Sequence, residues 1–417
     1  MTEDEATARS RPIRAVTDAP PSQRLAEVGT EFLRLGLTSF GGPVAHLGYF
    51  REAFVVRRQW LSERHYADIV ALCQFLPGPA SSQVGIAIGF ERAGYLGALL
   101  AWAGFTLPSA LLLLGFAYGL GQWGLLSDPG LLHGLKLAAL AVVAQAVWSM
   151  GKSLAPDTPR RLIAVLAAAA VLVFPGGSPP IGVLLLALAG GALFAIGTAT
   201  AAASEPVAEP ENRRIAATLL VAFVVMLIGL PLLVALTGNP VLVIADKFYR
   251  AASLVFGGGH VVLPLLQAEL VPPGLLPRDV FLAGYGATQA VPGPLFSFAA
   301  FAGAELTAPP NGLFGAALAL FAIYLPSFLL VLGALPFWYR LRQIGRLRAG
   351  LDAANAAVVG LLLAALYDPV FVGAVRRPGD FALALLALAA LTLLKLPPWL
   401  VVLLSAAAGL GVAHLSG

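Results

Sequence analysis

The chain has 417 residues, of which 59% are hydrophobic and only 12% charged. Soluble domains carry about 25% charged residues, so a water-solvated globule is excluded. The net charge of +4 is small and evenly spread, which gives no argument for a nucleic-acid partner, and the single cysteine excludes a disulfide framework or a multi-cysteine metal centre. Cys73 has apolar neighbours, which predicts a buried, unreactive thiol.

Residues 1–30 are polar and lack the apolar core of a secretory signal, so they predict a cytoplasmic tail. Leu33 to Phe50 is apolar but interrupted by Gly41-Gly42-Pro43. An arginine-rich loop follows, with Arg51, Arg57, Arg58 and Arg64. Tyr66 to Phe90 is interrupted in turn by Pro77-Gly78-Pro79, with Ala80-Ser81-Ser82-Gln83 directly after it. Leu96 to Leu120 is charge-free and long enough to cross roughly 30 Å of hydrocarbon as a helix. A polar linker and one further apolar run, Ile215 to Thr237, occupy 198–237. The second half then repeats the first: Tyr249 to Leu266 is broken at Gly257-Gly258-Gly259, Phe281 to Ala304 at Pro292-Gly293-Pro294, and Leu313 to Tyr339 is a long apolar run. These runs are apolar all round, without the alternation of a membrane β-barrel. The prediction is an all-α polytopic membrane protein of about 10–13 membrane segments, with repeats at 31–197 and 238–417.

The repeat is explicit in the residues. Phe40-Gly41-Gly42 recurs as Phe256-Gly257-Gly258, Gln74 and its PGP as Gln289 and the second PGP, and Leu107-Pro108-Ser109 as Leu325-Pro326-Ser327, all at an offset of about 216. Charge in equivalent loops is exchanged. The loop with Arg51, Arg57, Arg58 and Arg64 matches one holding only Arg278, whereas the Lys- and Arg-free Gly121 to Gly130 matches one with Arg340, Arg342, Arg346 and Arg348. With one odd helix between the copies, the positive-inside rule predicts inverted repeats, a cytoplasmic N-terminus and a C-terminus outside.

Proline removes a backbone donor and glycine permits positive φ, so each PGP should end one helix and begin another. The apolar stretches on either side are too short to span alone, which predicts a re-entrant hairpin or a helix broken near mid-membrane. Such backbone is tolerated only where protein or a watery cavity surrounds it. A half-helix starting there presents unpaired N–H groups and a partial positive charge, an anion site without formal charge. Gly41, Gly42, Gln74, Pro77, Gly78, Pro79, Ser81, Ser82, Gln83, Gly257, Gly258, Gln289, Pro292, Gly293, Pro294 and Ser297 are therefore the candidate substrate-binding residues. A single glycine or proline break is often only packing; paired breaks in two copies point to a transporter site. His46 and His260 follow the glycine breaks, as titrating groups or as hydrogen-bonded structural histidines. Lys136 and Asp352 occupy equivalent positions with opposite sign and are candidates to pair with each other. Arg51, Arg57, Arg58 and Arg92 are the sources of side-chain positive charge for entry or gating.

These motifs resemble one family. Thr38-Ser39-Phe40-Gly41-Gly42-Pro43, with His46 to Arg51 after it, is similar to the opening motif of the chromate ion transporter (CHR) family. Leu72 to Gly85 resembles its central signature, and Phe256 to His260 with Gln289 to Pro294 resembles its C-terminal domain. The resemblance covers nearly everything after residue 30 and implies the long-chain, two-domain form, which expels chromate across the bacterial inner membrane and so confers chromate resistance. It implies sulfate as a structural analogue and transport driven by the membrane gradient. The lack of a GxxxxGK[ST] loop agrees with a gradient rather than ATP. No cofactor or metal is implied, and a homodimer is left open. Sulfate or other oxyanion uptake, an anion channel, and a membrane-embedded enzyme are the competing classes; no HExxH motif supports the last.

Overall fold

A computed structural model describes residues 20–122, 129–174, 179–194, 213–256, 259–338 and 344–416. The first part of the tail, most of the linker, the tip of the 121–130 loop, Arg340, Arg342, Gly257 and Gly258 lie outside the described residues. Every regular element among the described residues is a helix.

The first copy comprises α1 (Pro21–Thr38), α2 (Gly42–Arg51), α3 (Glu63–Phe75), α4 (Ala80–Gln122), α5 (Pro129–Leu154), α6 (Thr158–Val173) and α7 (Pro179–Phe194). Next comes α8 (Arg213–Thr237), and then the second copy: α9 (Pro240–Ser253), α10 (Val262–Leu270), α11 (Arg278–Thr288), α12 (Phe298–Ala304), α13 (Gly312–Ala334), α14 (Gly345–Ala365), α15 (Pro378–Thr392) and α16 (Pro398–Ser416). The two copies correspond helix for helix once α4 is divided. Its dihedrals leave the helical region at Ala93 and Gly94, where Gly94 has φ 66°, so 80–92 and 95–122 are separate arms matching α12 and α13. Proline begins α1, α5, α7, α9, α15 and α16, where its missing N–H is one of the helix's unpaired donors in any case.

Five helices among the described residues are long and apolar enough to cross a membrane: Ala80–Gly119, Gly130–Leu154, Arg213–Thr237, Gly312–Phe337 and Gly345–Ala374. The chain is an all-α polytopic membrane protein. Outward-facing leucines, valines and phenylalanines such as Leu111, Leu186, Leu236, Phe321 and Leu386 supply the lipid-facing surface. The α1 helix starts at Pro21, inside the segment expected as a tail. Val28 is fully buried and Phe32 and Leu35 continue the same face, so these residues are the first turns of a packed helix.

The copies are exchanged rather than side by side. In the first, α1 packs on α4, with Gly36 against the Gly104 carbonyl; in the second, α9 packs on α13. Beyond that, each copy's next long helix lies against the last two helices of the other: α5 against α15 and α16, α14 against α6 and α7. Backbones touch at these crossings. A Cβ on Gly134 would stand 2.3 Å from the Ser405 oxygen, and one on its equivalent Gly350 would stand 2.7 Å from the Leu188 oxygen. Small residues allow this approach, which drives helix association where lipid removes the hydrophobic incentive. Cys73 is buried, as expected, in a core shared by the first copy's opening helices and residues 330–334 of α13.

Gly134→Val should therefore separate the copies. We expect a loss of about 1–3 kcal/mol, read as lower thermal stability of the purified protein in detergent, with Gly182→Val, which has open space around it, unaffected.

Candidate anion site between the broken helices

The breaks fall where glycine and proline place them. Between α1 and α2, Gly41 and Gly42 take φ of 100° and 77°, and Pro43 sits in the first turn of α2. At the first PGP, Leu76 turns the chain extended, Gly78 takes φ 127°, and α4 starts at Ala80. At the second, Gly293 takes φ 98° and a short 3-10 turn, Leu295–Ser297, leads into α12. L-residues rarely adopt these dihedrals, so glycine is required at each.

The two copies meet through these breaks. The Gly78 N–H donates to the Val255 carbonyl at 2.6 Å, and the Gly293 N–H donates to the Ser39 carbonyl at 2.9 Å. Ser39 and Val255 are equivalent residues just before the glycine breaks, so each PGP loop satisfies its glycine N–H on the other copy's broken helix. The same reciprocity holds for the LPS serines: Ser327 lies against Gly78 and Ser109 against Gly293. Gly42 faces His260 Nε2, and Gly259 faces Pro43.

Around this junction lies a set of buried polar groups with few partners. Ser39, Ser81, Ser82, Gln83, Thr106, Ser109, Ser297 and Ser327 are each at most 2% exposed. The Ser39, Ser82, Thr106, Tyr324 and Ser327 hydroxyls, Gln83 Oε1, His46 Nε2 and Gln289 Nε2 have no hydrogen-bond partner. The Tyr324 hydroxyl faces those of Ser82 and Thr106. Buried polar groups are nearly always paired, so such a concentration calls for partners from water, an ion or a ligand.

Most of the expected residues are assembled here. Ser81 Oγ lies 3.3 Å from His46 Nδ1, Gln83 Nε2 donates to the Pro77 carbonyl at 2.7 Å, and Ser297 donates to the Pro294 carbonyl at 2.6 Å. Pro79, Pro292 and Pro294 are buried and Pro77 is half-buried. His260 Nδ1 is 2.9 Å from the Tyr285 hydroxyl. Gln74 and Gln289 differ: Gln289 is buried, whereas Gln74 is exposed on α3. Gly257 and Gly258 lie outside the described residues.

The expected charges are placed elsewhere. Arg57 and Arg58 converge with Arg34 on the buried Glu31 at 3.3, 2.8 and 3.4 Å. Arg92 pairs with Glu27 at 2.6 Å and stacks over Trp60, and Arg51 pairs with Glu63 at 2.6 Å. Lys136 and Asp352 do not pair with each other. Lys136 reaches Asp279 at 2.7 Å and Asp352 meets Arg160 at 3.3 Å, because α5 and α14 each lie against helices of the opposite copy. Thr106, Tyr324 and Ser327 are not among the residues expected at the site. Their only signal is that the LPS motif recurs in both halves, preceded in each by a hydroxyl-bearing residue.

The fold and this junction define a membrane protein with paired broken helices around a buried polar centre. The chromate transporter family profile matches residues 26–196 and again 242–410, so the chain belongs to the chromate transporter family. A chromate transport protein of Pseudomonas aeruginosa is 28% identical over 90% of this chain and 88% of its own length. One from Cupriavidus metallidurans is 29% identical over 90% and 88%. A probable chromate transport protein of Synechococcus elongatus is 28% identical over 93% and 96%. No solved structure matches the chain.

Two outcomes follow from the placement of charge and glycine. Glu31→Gln removes a buried acceptor shared by three arginines and should cost about 1.5–3 kcal/mol in thermal or denaturant stability, whereas Glu63→Gln, an exposed pair, should leave stability unchanged. Gly293→Ala puts a Cβ 2.9 Å from Ser109 Oγ at a positive φ, and should cost about 1–3 kcal/mol by the same measurement.

Proposed function

We propose that this protein exports chromate from the bacterial cytoplasm by secondary active transport, with sulfate as an analogue that competes for the same site. The observation that carries the reading is the cluster of buried, unpartnered hydroxyls beside the start of α4, at the junction of two broken-helix motifs. A half-helix N-terminus with hydroxyl donors suits a tetrahedral dianion. The names of the relatives, chromate transport proteins from two bacteria, give the anion its identity.

The transport cycle we infer is alternating access. The copies are read as inverted repeats because equivalent loops exchange arginine content and the single helix α8 separates them. In this reading the N-terminus, the Arg51–Arg64 loop and Arg213/Arg214 are cytoplasmic, and the C-terminus is outside. The site hydroxyls are sealed on every side, so access requires one copy to rock against the other and open one face at a time. Arg51, Arg57, Arg58 and Arg92 then act at the entrance, raising local anion concentration from within their ion pairs. Transport without chemistry on the substrate makes the protein a carrier, not an enzyme.

Everted membrane vesicles carrying this protein should accumulate labelled chromate when a gradient is imposed, and excess sulfate should suppress it. Gradient-independent flux that does not saturate would identify a channel. No accumulation in vesicles holding folded protein would remove chromate export, and sulfate accumulation in right-side-out vesicles alone would replace it with uptake.

A further inference from the structure

The two copies match helix for helix, but their polar equipment does not match. After the first PGP the half-helix opens Ala80-Ser81-Ser82-Gln83; after the second the same positions read Leu295-Phe296-Ser297-Phe298. Phe296 and Phe298 are fully buried, and the Ser297 hydroxyl is spent on the Pro294 carbonyl. The following helix, α12, has only 7 residues. The asymmetry reverses one layer further out. Thr106, a turn before Ser109, has as its equivalent Tyr324, a turn before Ser327. Tyr324 is 1% exposed, lies between the rings of Trp102 at 5.6 Å and Phe296 at 6.0 Å, and turns its hydroxyl toward Ser82 and Thr106 of the first copy.

We propose that the chain binds a single tetrahedral oxyanion, asymmetrically, at the N-terminus of the 80–92 arm, held by the hydroxyls of Ser82 and Thr106 from the first copy and of Tyr324 from the second. This deepens the transport reading and rests on it. Each of the three hydroxyls is nine-tenths buried or more and has no partner outside the three, so each has a proton that it can donate to an anion oxygen in place of its neighbour. The half-helix adds its unpaired N–H groups and partial positive charge. The second copy has no equivalent set: the counterpart of Ser82 is Ser297, whose hydroxyl donates to the Pro294 carbonyl, and phenylalanines flank it where the first copy has Ser81 and Gln83. Its contribution is Tyr324, the one side chain of the three that reaches the anion across the junction between copies. A rocking motion of one copy against the other therefore changes the distance from Tyr324 to Ser82 and Thr106, which couples grip on the anion to the position of the copies.

Equilibrium dialysis of labelled chromate against the purified full-length protein in detergent tests this, with thermal melting of the same samples without anion. The wild type should bind one chromate per chain. Tyr324→Phe, Ser82→Ala and Thr106→Val should each raise Kd about tenfold to a hundredfold, while Thr106→Ser, which keeps the hydroxyl, stays close to wild type. Each loss-of-hydroxyl variant should melt without anion close to the wild type, since the group removed has no partner outside the three facing hydroxyls. Unchanged Kd in Tyr324→Phe beside a wild type that binds chromate would overturn the proposal and leave oxyanion transport standing. So would two chromates per chain, or a Tyr324→Phe protein that melts lower or fails to fold, which would make the hydroxyl structural. A folded wild type that binds neither chromate nor sulfate would overturn the oxyanion reading and this proposal together.

Discussion

Backbone polar groups inside a membrane protein have no water to turn to, and a helix broken at mid-depth exposes several of them. Here each break finds its partner in the other copy: Gly78 N–H on Val255 O, Gly293 N–H on Ser39 O. Neither copy can satisfy its PGP glycine alone. The same dependence recurs in the long helices, where α5 and α14 each pack against the final helices of the opposite copy with backbone-to-backbone contact at glycines. Lys136 with Asp279, His133 with Asp380 and Arg160 with Asp352 all bridge the copies as well. A duplicated chain assembled this way folds as one body, and its centre is where the irregular backbone is.

That centre is polar without being charged. A lysine or arginine at mid-bilayer costs about 2.5–3.5 kcal/mol on insertion scales, and an anion held by a buried guanidinium leaves slowly. Hydroxyls and helix ends cost less when empty, on the order of 1–3 kcal/mol for each unmade hydrogen bond, and they release an anion readily. Arg34, Arg51, Arg57, Arg58 and Arg92 are instead tied to carboxylates at Glu27, Glu31 and Glu63. Paired charge and unpartnered neutral donors are thus carried by different parts of the chain, and the proposed anion site draws on the second.

Much of this was legible in the residues. Glycine and proline mark the breaks because their backbone constraints are local, so Gly41-Gly42 and both PGP motifs predict positions that the structure reproduces to within a residue or two. The repeat was visible because motif order and spacing survive duplication. Three features were not legible. The start of α1 reads as tail because Arg24, Glu27, Glu31 and Arg34 share it with Val28, Phe32 and Leu35, and the composition hides an apolar face. The partners of Lys136 and Asp352 depend on which copy's helices lie beside them, which equivalence of position does not specify. Tyr324 comes to face Ser82 and Thr106 only through the exchange of copies, a long-range fact without a local signature.

Locating bound chromate directly, by the anomalous scattering of its chromium in crystals of the protein, tests the account most sharply. The account places the chromium beside the start of the 80–92 arm, between Ser82, Thr106 and Tyr324, where the two broken-helix motifs meet. Chromium found instead among Arg34, Arg57 and Arg58 around Glu31, with the junction of the copies empty, would contradict it.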